Sequence, residues 1–234
     1  MQKLMSVMRA AMEKYEMIQP GDRIAVGVSG GKDSVTLLTA LAEMRRFYPI
    51  PYQLEAVTLD MGFGGTDYQP LQELCRRLRV RYTIKPTGIG PIIFESRKEE
   101  NPCSLCARMR RGALHDAAKA LSCNKIALGH HLDDAVETFY MNLFNGGRIG
   151  CFQPVTYLSR KDLTMIRPMV LAFERDVIRA GRKRNLPVVK NPCPADGVTH
   201  RQKMKDLIRG LEKDYDRLRI KTIGAMQRAG LDGW

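Results

Sequence analysis

Aromatic side chains are scarce in this sequence: one Trp, seven Phe and eight Tyr among 234 residues. No aromatic platform for stacking single-stranded bases is evident. Long apolar runs are missing as well, and nothing approaches the roughly 20 residues that a membrane-spanning helix needs. Lys3 and Arg9 near the start are followed by neither an apolar segment nor a small-residue cleavage site, so no secretory leader is expected. The expectation is a soluble, cytoplasmic protein with no membrane partner. Acidic residues are outnumbered, 25 against 38 Lys and Arg, for a net charge of +13. An excess of that size favours a polyanionic partner such as nucleic acid. The chain is too large, and its character too cytosolic, for its six cysteines to form a disulfide framework. The common ATPase phosphate loop, Gly, then four residues, then Gly-Lys-Ser/Thr, is absent too. Position 26 is Val, and Asp follows Lys32.

What is present is the stretch Arg23-Ile-Ala-Val-Gly-Val-Ser-Gly-Gly-Lys-Asp-Ser34. Ile24, Ala25, Val26 and Val28 make a short apolar run suited to a buried strand. Val35, Leu37, Leu38, Leu41 and Ala42 then recur at helical spacing. The loop Ser29-Gly30-Gly31-Lys32-Asp33-Ser34 therefore joins a strand to a helix start. Its glycines let backbone approach a ligand closely. The helix start offers N–H groups and a positive dipole end, a natural seat for phosphate. Ser29 and Ser34 add hydroxyls and Lys32 a charge.

The rest of the chain alternates strands and helices. Residues 1–18 read as a helix with Leu4, Val7, Met8, Ala11, Met12 and Tyr15 on one face. Strands are expected at 53–59, 80–84 and 124–128, and a last one at 163–166. Helices are expected from the loop to about Phe47, then at 68–78, 104–121, 133–145 and 174–184. A long basic helix, or two, fills 201–228. Residues 86–102 read as loop with a solvated Lys98-Glu99-Glu100, and 151–161 as irregular. The alternation predicts a doubly wound α/β fold with a parallel sheet covered on both faces. It divides into an N-terminal helix over 1–20 and a main domain over 21–234 with a helical extension from about 199. The Ser29–Ser34 loop, the glycine-rich turn after Asp60 and the turn Gly129-His130-His131-Leu132-Asp133-Asp134 all follow strands directly. In an open parallel sheet such turns converge on one crevice.

Pro102-Cys103-Ser104-Leu105-Cys106 places two thiols at a helix start, where the dipole lowers thiol pKa. Arg108, Arg110 and Arg111 follow at once and push the same way. A redox dithiol, a zinc site and an iron–sulfur site are the three readings, and zinc lacks a second Cys pair. Cys193 is the best distant thiol: Asn191-Pro192-Cys193 mirrors Asn101-Pro102-Cys103. Cys75 and Cys123 read as core residues, and Cys151 as a persulfide carrier or an idle thiol.

Together, the Ser-Gly-Gly-Lys-Asp-Ser loop, Cys-Ser-Leu-Cys-Ala-Arg-Met-Arg-Arg-Gly, Ala-Leu-Gly-His-His-Leu-Asp-Asp and the late Pro-Cys resemble the tRNA 2-thiocytidine synthetases of the PP-loop ATP pyrophosphatase superfamily. The similarity runs from about Arg9 to Met226. It implies a Rossmann-like fold and an ATP-dependent sulfurtransferase that adenylates the C2 carbonyl of an anticodon-loop cytidine. It implies a [4Fe-4S] cluster on Cys103, Cys106 and Cys193, Mg²⁺ beside ATP, a sulfur donor such as a cysteine desulfurase or sulfide, and a homodimer. ATP would lie against Ser29–Ser34, Asp60, Gly129 and His130. Lys32 would balance phosphate charge, and Asp133 or Asp134 would hold Mg²⁺ or move a proton, the alternative for either being a helix cap. Arg108, Arg110, Arg111 and Arg201, with Lys203 and Lys205, would contact RNA phosphates. The chain departs from the family where Cys193-Pro-Ala-Asp196 replaces a frequent second Cys-x-x-Cys. A lysidine-forming ligase, or a sulfurtransferase acting on another RNA base or a small molecule, is the competing reading.

Overall fold

The computed structural model describes residues 1–96, 102–189, 193 and 200–234. The elements are α1 (Gln2–Lys14), β1 (Arg23–Gly27), α2 (Lys32–Met44), β2 (Gln53–Asp60), α3 (Gln69–Leu78), β3 (Arg81–Pro86), the single turn α4 (Ile89–Pro91) and α5 (Pro102–Ala120). They continue with β4 (Lys125–Ala127), α6 (Leu132–Gly146), β5 (Val155–Leu158), β6 (Leu163–Ile166), α7 (Glu174–Lys183), α8 (His200–Leu211) and α9 (Leu218–Arg228).

Among the described residues the sheet has six strands in the order β3-β2-β1-β4-β6-β5. All neighbours run parallel except β5, which pairs antiparallel with β6. β1 is the central strand because its apolar run tolerates burial on both faces; Ile24, Ala25 and Val26 are fully buried. Val26 stands between Ala56 of β2 and Ala127 of β4, where small side chains leave room. From β1 the chain winds outward to β2 and β3, then crosses back to β4 and β6. That reversal opens a crevice at the carboxyl ends of β1 and β4.

Helices cover both faces, as the alternation predicts. On one face α1, α2 and α7 pack through Leu4, Met8, Met12, Leu37, Leu38, Leu41 and Val177. On the other, α5 lays Ala117 and Ala118 over Ala25, Val57 and Ile126. Each large apolar side chain so buried contributes about 1.5–3 kcal/mol of transfer free energy. A buried ion pair ties the start of the sheet: Lys125 Nζ lies 2.7 Å from Asp22 Oδ2 and donates to the Met17 carbonyl.

Several expectations fail. Residues 155–158, read as irregular, form edge strand β5, because β6 lies beside them and supplies the ladder. Exposed Tyr157 and the shortness of the segment hide this from local pattern. The stretch read as loop coils at Ile89–Pro91 and then into a π-helical turn, Ile92–Ser96. Ile89 and Ile93, both buried, draw it onto the body of the fold. Of the two readings of the basic C-terminal stretch, one helix or two, the structure has two, with Arg217 at φ +55° at the junction. Lys98–Glu100, the Asn191-Pro192 part of the late turn and Pro194–Asp196 lie outside the described residues.

Candidate active site at the carboxyl edge of the sheet

The loop between β1 and α2 is held by its own hydroxyls. Ser34 Oγ accepts from the Ser29 N–H at 3.1 Å and donates to the Gly31 carbonyl at 2.9 Å, with Ser29 Oγ 3.2 Å away. The serines therefore shape the loop. No side chain caps α2, so its first N–H groups remain for an anion. Gly30 has φ +83°. A Cβ there would meet Val189 Cβ at 2.9 Å, so glycine is required twice over. The Val189 N–H donates to the Gly30 carbonyl, clamping the loop from the strand-like exit of α7.

Lys32 Nζ lies 2.9 Å from both Asp33 oxygens and 3.0 Å from Glu174 Oε1. Burial pulls its pKa down, but Asp33 and Glu174 outweigh that and raise it above the ordinary value. The Glu174 Oε2 accepts from Lys205 Nζ at 2.5 Å. Burial would raise the Glu174 carboxyl; Lys205 and Lys32 instead bring it down to about 2.

In front of the loop lies a crevice of about 600 Å³. Val28, Val57 and Leu128 supply apolar wall, and Ser29, Gly31 and Asp60 supply polar edge. An apolar cavity of that size with few polar groups suits a nucleotide-sized ligand. Asp60 Oδ1 accepts the Gly62 N–H at 3.1 Å. Cys106, Arg110 and Cys193 close the same crevice from α5 and the late segment. The Cys106 thiol is pushed up by burial, against the pull of Arg110 and with further upward pushes from Cys193 and Cys103. This corrects the expectation of a lowered pKa at the helix start: burial outweighs the arginine. Cys193 and Cys103 both act on the Cys106 thiol, so the three share one neighbourhood. Such thiols exchange protons for metal on binding, so the donor chemistry fits an iron–sulfur group. Among the described residues no three His, Cys, Asp or Glu side chains are already gathered at metal-holding distance. Cys151 is elsewhere: its thiol donates to the Ala135 carbonyl, and burial pushes it up to about 12. That is the setting of an idle thiol.

The turn after β4 comes to the same corner but serves mainly as scaffold. Gly129 is required by packing, since a Cβ there would lie 3.1 Å from the Asp33 backbone. Asp134 and His131 form a reciprocal cap at the start of α6. Asp133 Oδ2 accepts the Glu174 N–H at 2.6 Å, and its Oδ1 lies 3.0 Å from Arg219 Nε, off the N–H axis. Arg219 also pairs with Glu212. Both carboxylates thus have protein partners: Asp134 takes the helix-cap alternative on α6, and Asp133 instead joins α6 to the start of α7. His130 stacks on Phe152 with its Nδ1 buried and unpartnered. Burial and then the Arg167 charge bring it down to about 4, so the ring is neutral.

The expected RNA contacts divide. Arg108, Arg110 and Arg111 are exposed on α5. Arg201 instead reaches Glu137 at 3.1 Å, Asp134 and Thr138, fastening α8 to α6. Lys205 is spent on Glu174. Sequence reasoning missed Glu174 and Val189, and gave Lys205 to RNA rather than to Glu174. A first-turn glutamate is ordinary helix chemistry, and nothing local marks it as the partner of a lysine so distant along the chain.

Comparison with known proteins agrees with this geometry. The family model described as a PP-loop domain matches residues 3–208. A tRNA-cytidine(32) 2-sulfurtransferase of Geobacter sulfurreducens is 39% identical over 227 residues, covering 96% of this chain and 88% of that protein. One from Syntrophotalea carbinolica is 40% identical with the same coverage. Among solved structures, the U34-tRNA thiolase NcsA from Methanococcus maripaludis, with its [4Fe-4S] cluster, aligns at a TM-score of 0.77 and 22% identity. That alignment covers 97% of this chain and 78% of the thiolase. The chain therefore belongs to the PP-loop family and, within it, to the tRNA-cytidine(32) 2-sulfurtransferases.

Proposed function

We propose that the chain uses ATP to thiolate C2 of a cytidine in tRNA. The observation that carries this reading is the shared crevice: phosphate loop, Asp60, Cys106 and Cys193 line one cavity. ATP would seat its phosphates on the α2 start, with the apolar wall of Val28, Val57 and Leu128 taking the adenine. The C2 carbonyl oxygen attacks the α-phosphorus and pyrophosphate leaves. This step converts oxygen, a poor leaving group, into part of AMP, a good one. Lys32 and the α2 N–H groups stabilise the charge that develops on the phosphates. Mg²⁺ would share that task, with Asp60 at the crevice edge as its protein partner. Sulfur as sulfide then bonds to C2, and the C2–O bond breaks with AMP as leaving group.

Cys103, Cys106 and Cys193 would hold a [4Fe-4S] cluster, which when bound supplies an iron free of protein ligand to carry sulfur. Arg110 beside Cys106 keeps positive charge near the thiolates and, with Arg108 and Arg111, faces the RNA backbone. The test is anaerobic purification with iron, sulfide and visible absorbance measured, alongside thionucleoside analysis of tRNA from cells with and without the gene. Iron and sulfide near four per chain, and loss of 2-thiocytidine without the gene, are expected. A colourless zinc protein would refute the cluster, and unchanged 2-thiocytidine would refute the substrate. Replacing Arg111 with Ala should lower the slope of log affinity for tRNA against log salt by about one.

A further inference from the structure

The phosphate-loop lysine begins a chain of alternating charges that runs to α8. Lys32 meets Glu174 at 3.0 Å, and Glu174 meets Lys205 of α8 at 2.5 Å. These groups are partly shielded: the side-chain exposures are 40% for Lys32, 17% for Glu174 and 27% for Lys205. The segment that follows α7 also grips the loop, through the Val189 N–H on the Gly30 carbonyl. The chain beyond Val189 brings Cys193 to the crevice and then enters α8. One stretch of chain thus touches the phosphate loop, supplies a crevice cysteine and ends in a helix tied back to the loop lysine.

We infer that Glu174 and Lys205 are positioning residues that form an ion-pair latch: Glu174 holds Lys32 while the loop is empty, and nucleotide phosphate takes Lys32 and leaves Glu174 to Lys205. This rests on the reading of the crevice as an ATP site. Lys32 cannot serve a polyphosphate fully while it neutralises Glu174, so phosphate and Glu174 compete for one ammonium. Lys205, on the other oxygen of Glu174, shares that carboxylate's charge and weakens its hold on Lys32, which helps nucleotide to win. The coupling is reciprocal: nucleotide must tighten the Glu174–Lys205 pair by as much as that pair favours nucleotide. ATP loading would then hold α8 more firmly on the body of the protein.

The signs make the test sharp. Glu174→Gln removes one of the two carboxylates that hold Lys32, Asp33 being the other, and should tighten binding of a non-hydrolysable ATP analogue by roughly three- to tenfold, the range of one ion pair. Lys205→Met leaves Glu174 to Lys32 alone and should weaken the same binding by roughly two- to fivefold. Both are measured on the full chain by calorimetry, with thermal melts to confirm folding. Hydrogen exchange supplies a third readout: the analogue should slow exchange at 29–34 and also at 200–211, and Lys205→Met should abolish only the second effect. Shifts of the same sign in both variants, or protection at 29–34 with none at 200–211, would overturn the latch and leave the ATP site standing. No protection at 29–34 in the unmodified protein would overturn the ATP reading and the latch with it. Should Glu174→Gln fail to fold, Lys205→Met and the exchange pattern still decide the matter.

Discussion

Replacing Asp133 separates a scaffold role from a magnesium role. Its two oxygens take the Glu174 N–H at 2.6 Å and face Arg219 Nε at 3.0 Å. The Asp133 and Arg219 side chains are only 11% and 14% exposed, so solvent replaces little of what Ala would remove. Losing a charge-assisted hydrogen bond to a backbone N–H costs about 1.5–3 kcal/mol. Stranding Arg219 would add more, but Glu212 remains as its partner. A total near 3 kcal/mol follows for Asp133→Ala, and near 1 kcal/mol for Asp133→Asn, which keeps an acceptor. For a domain of this size each kcal/mol lowers Tm by about 2–4 °C. The expected falls are therefore roughly 6–12 °C and 2–4 °C. At a temperature where all forms are folded, the affinity for Mg²⁺–ATP should stay within about threefold of the original, because neither oxygen is left over for a metal. Unchanged melting with lost Mg²⁺–ATP binding would refute the scaffold assignment and restore Asp133 as a metal ligand.

Gly30→Ala should abolish measurable ATP binding by calorimetry, since its φ of +83° and the 2.9 Å approach to Val189 both forbid a Cβ. Gly64→Ala, also at positive φ (+73°) but in open space, should cost only about 1 kcal/mol in denaturant unfolding. Cys151→Ala should leave iron content and tRNA thiolation intact. Iodoacetamide at mild alkaline pH should spare Cys75, Cys123 and Cys151, whose thiols burial pushes up to about 11, 11 and 12, and label Cys103 first. His130 carries a pKa near 4 in the fold against 6.5 when unfolded, so the unfolded chain binds the extra proton between those values. Stability in urea should therefore fall as pH drops from about 6.5 to about 4, and His130→Gln should flatten that part of the profile; an unaltered profile would show that other groups set it.

The sequence by itself determined β1, the loop after it and α2, because an apolar run, two glycines and a helical spacing are local properties of adjacent residues. It also determined the alternation that yields a covered parallel sheet, and it marked Cys103 and Cys106 by their place in a helix turn. Only the tertiary structure decided what those residues meet. Asp133 proved to hold the first N–H of α7 and Arg201 to fasten α8, because their partners arrive from elsewhere in the chain, whereas Ser29 and Ser34 fold their own loop and Asp134 caps α6 through near neighbours. β5 exists as a strand because β6 is beside it. Glu174 became the partner of Lys32 only when α7 packed against α2, and only the fold sets Cys193 and Cys106 on one crevice. Propensity acts over a few residues, whereas burial and charge pairing act between whichever surfaces the fold brings together, and the site is made of the second kind of contact.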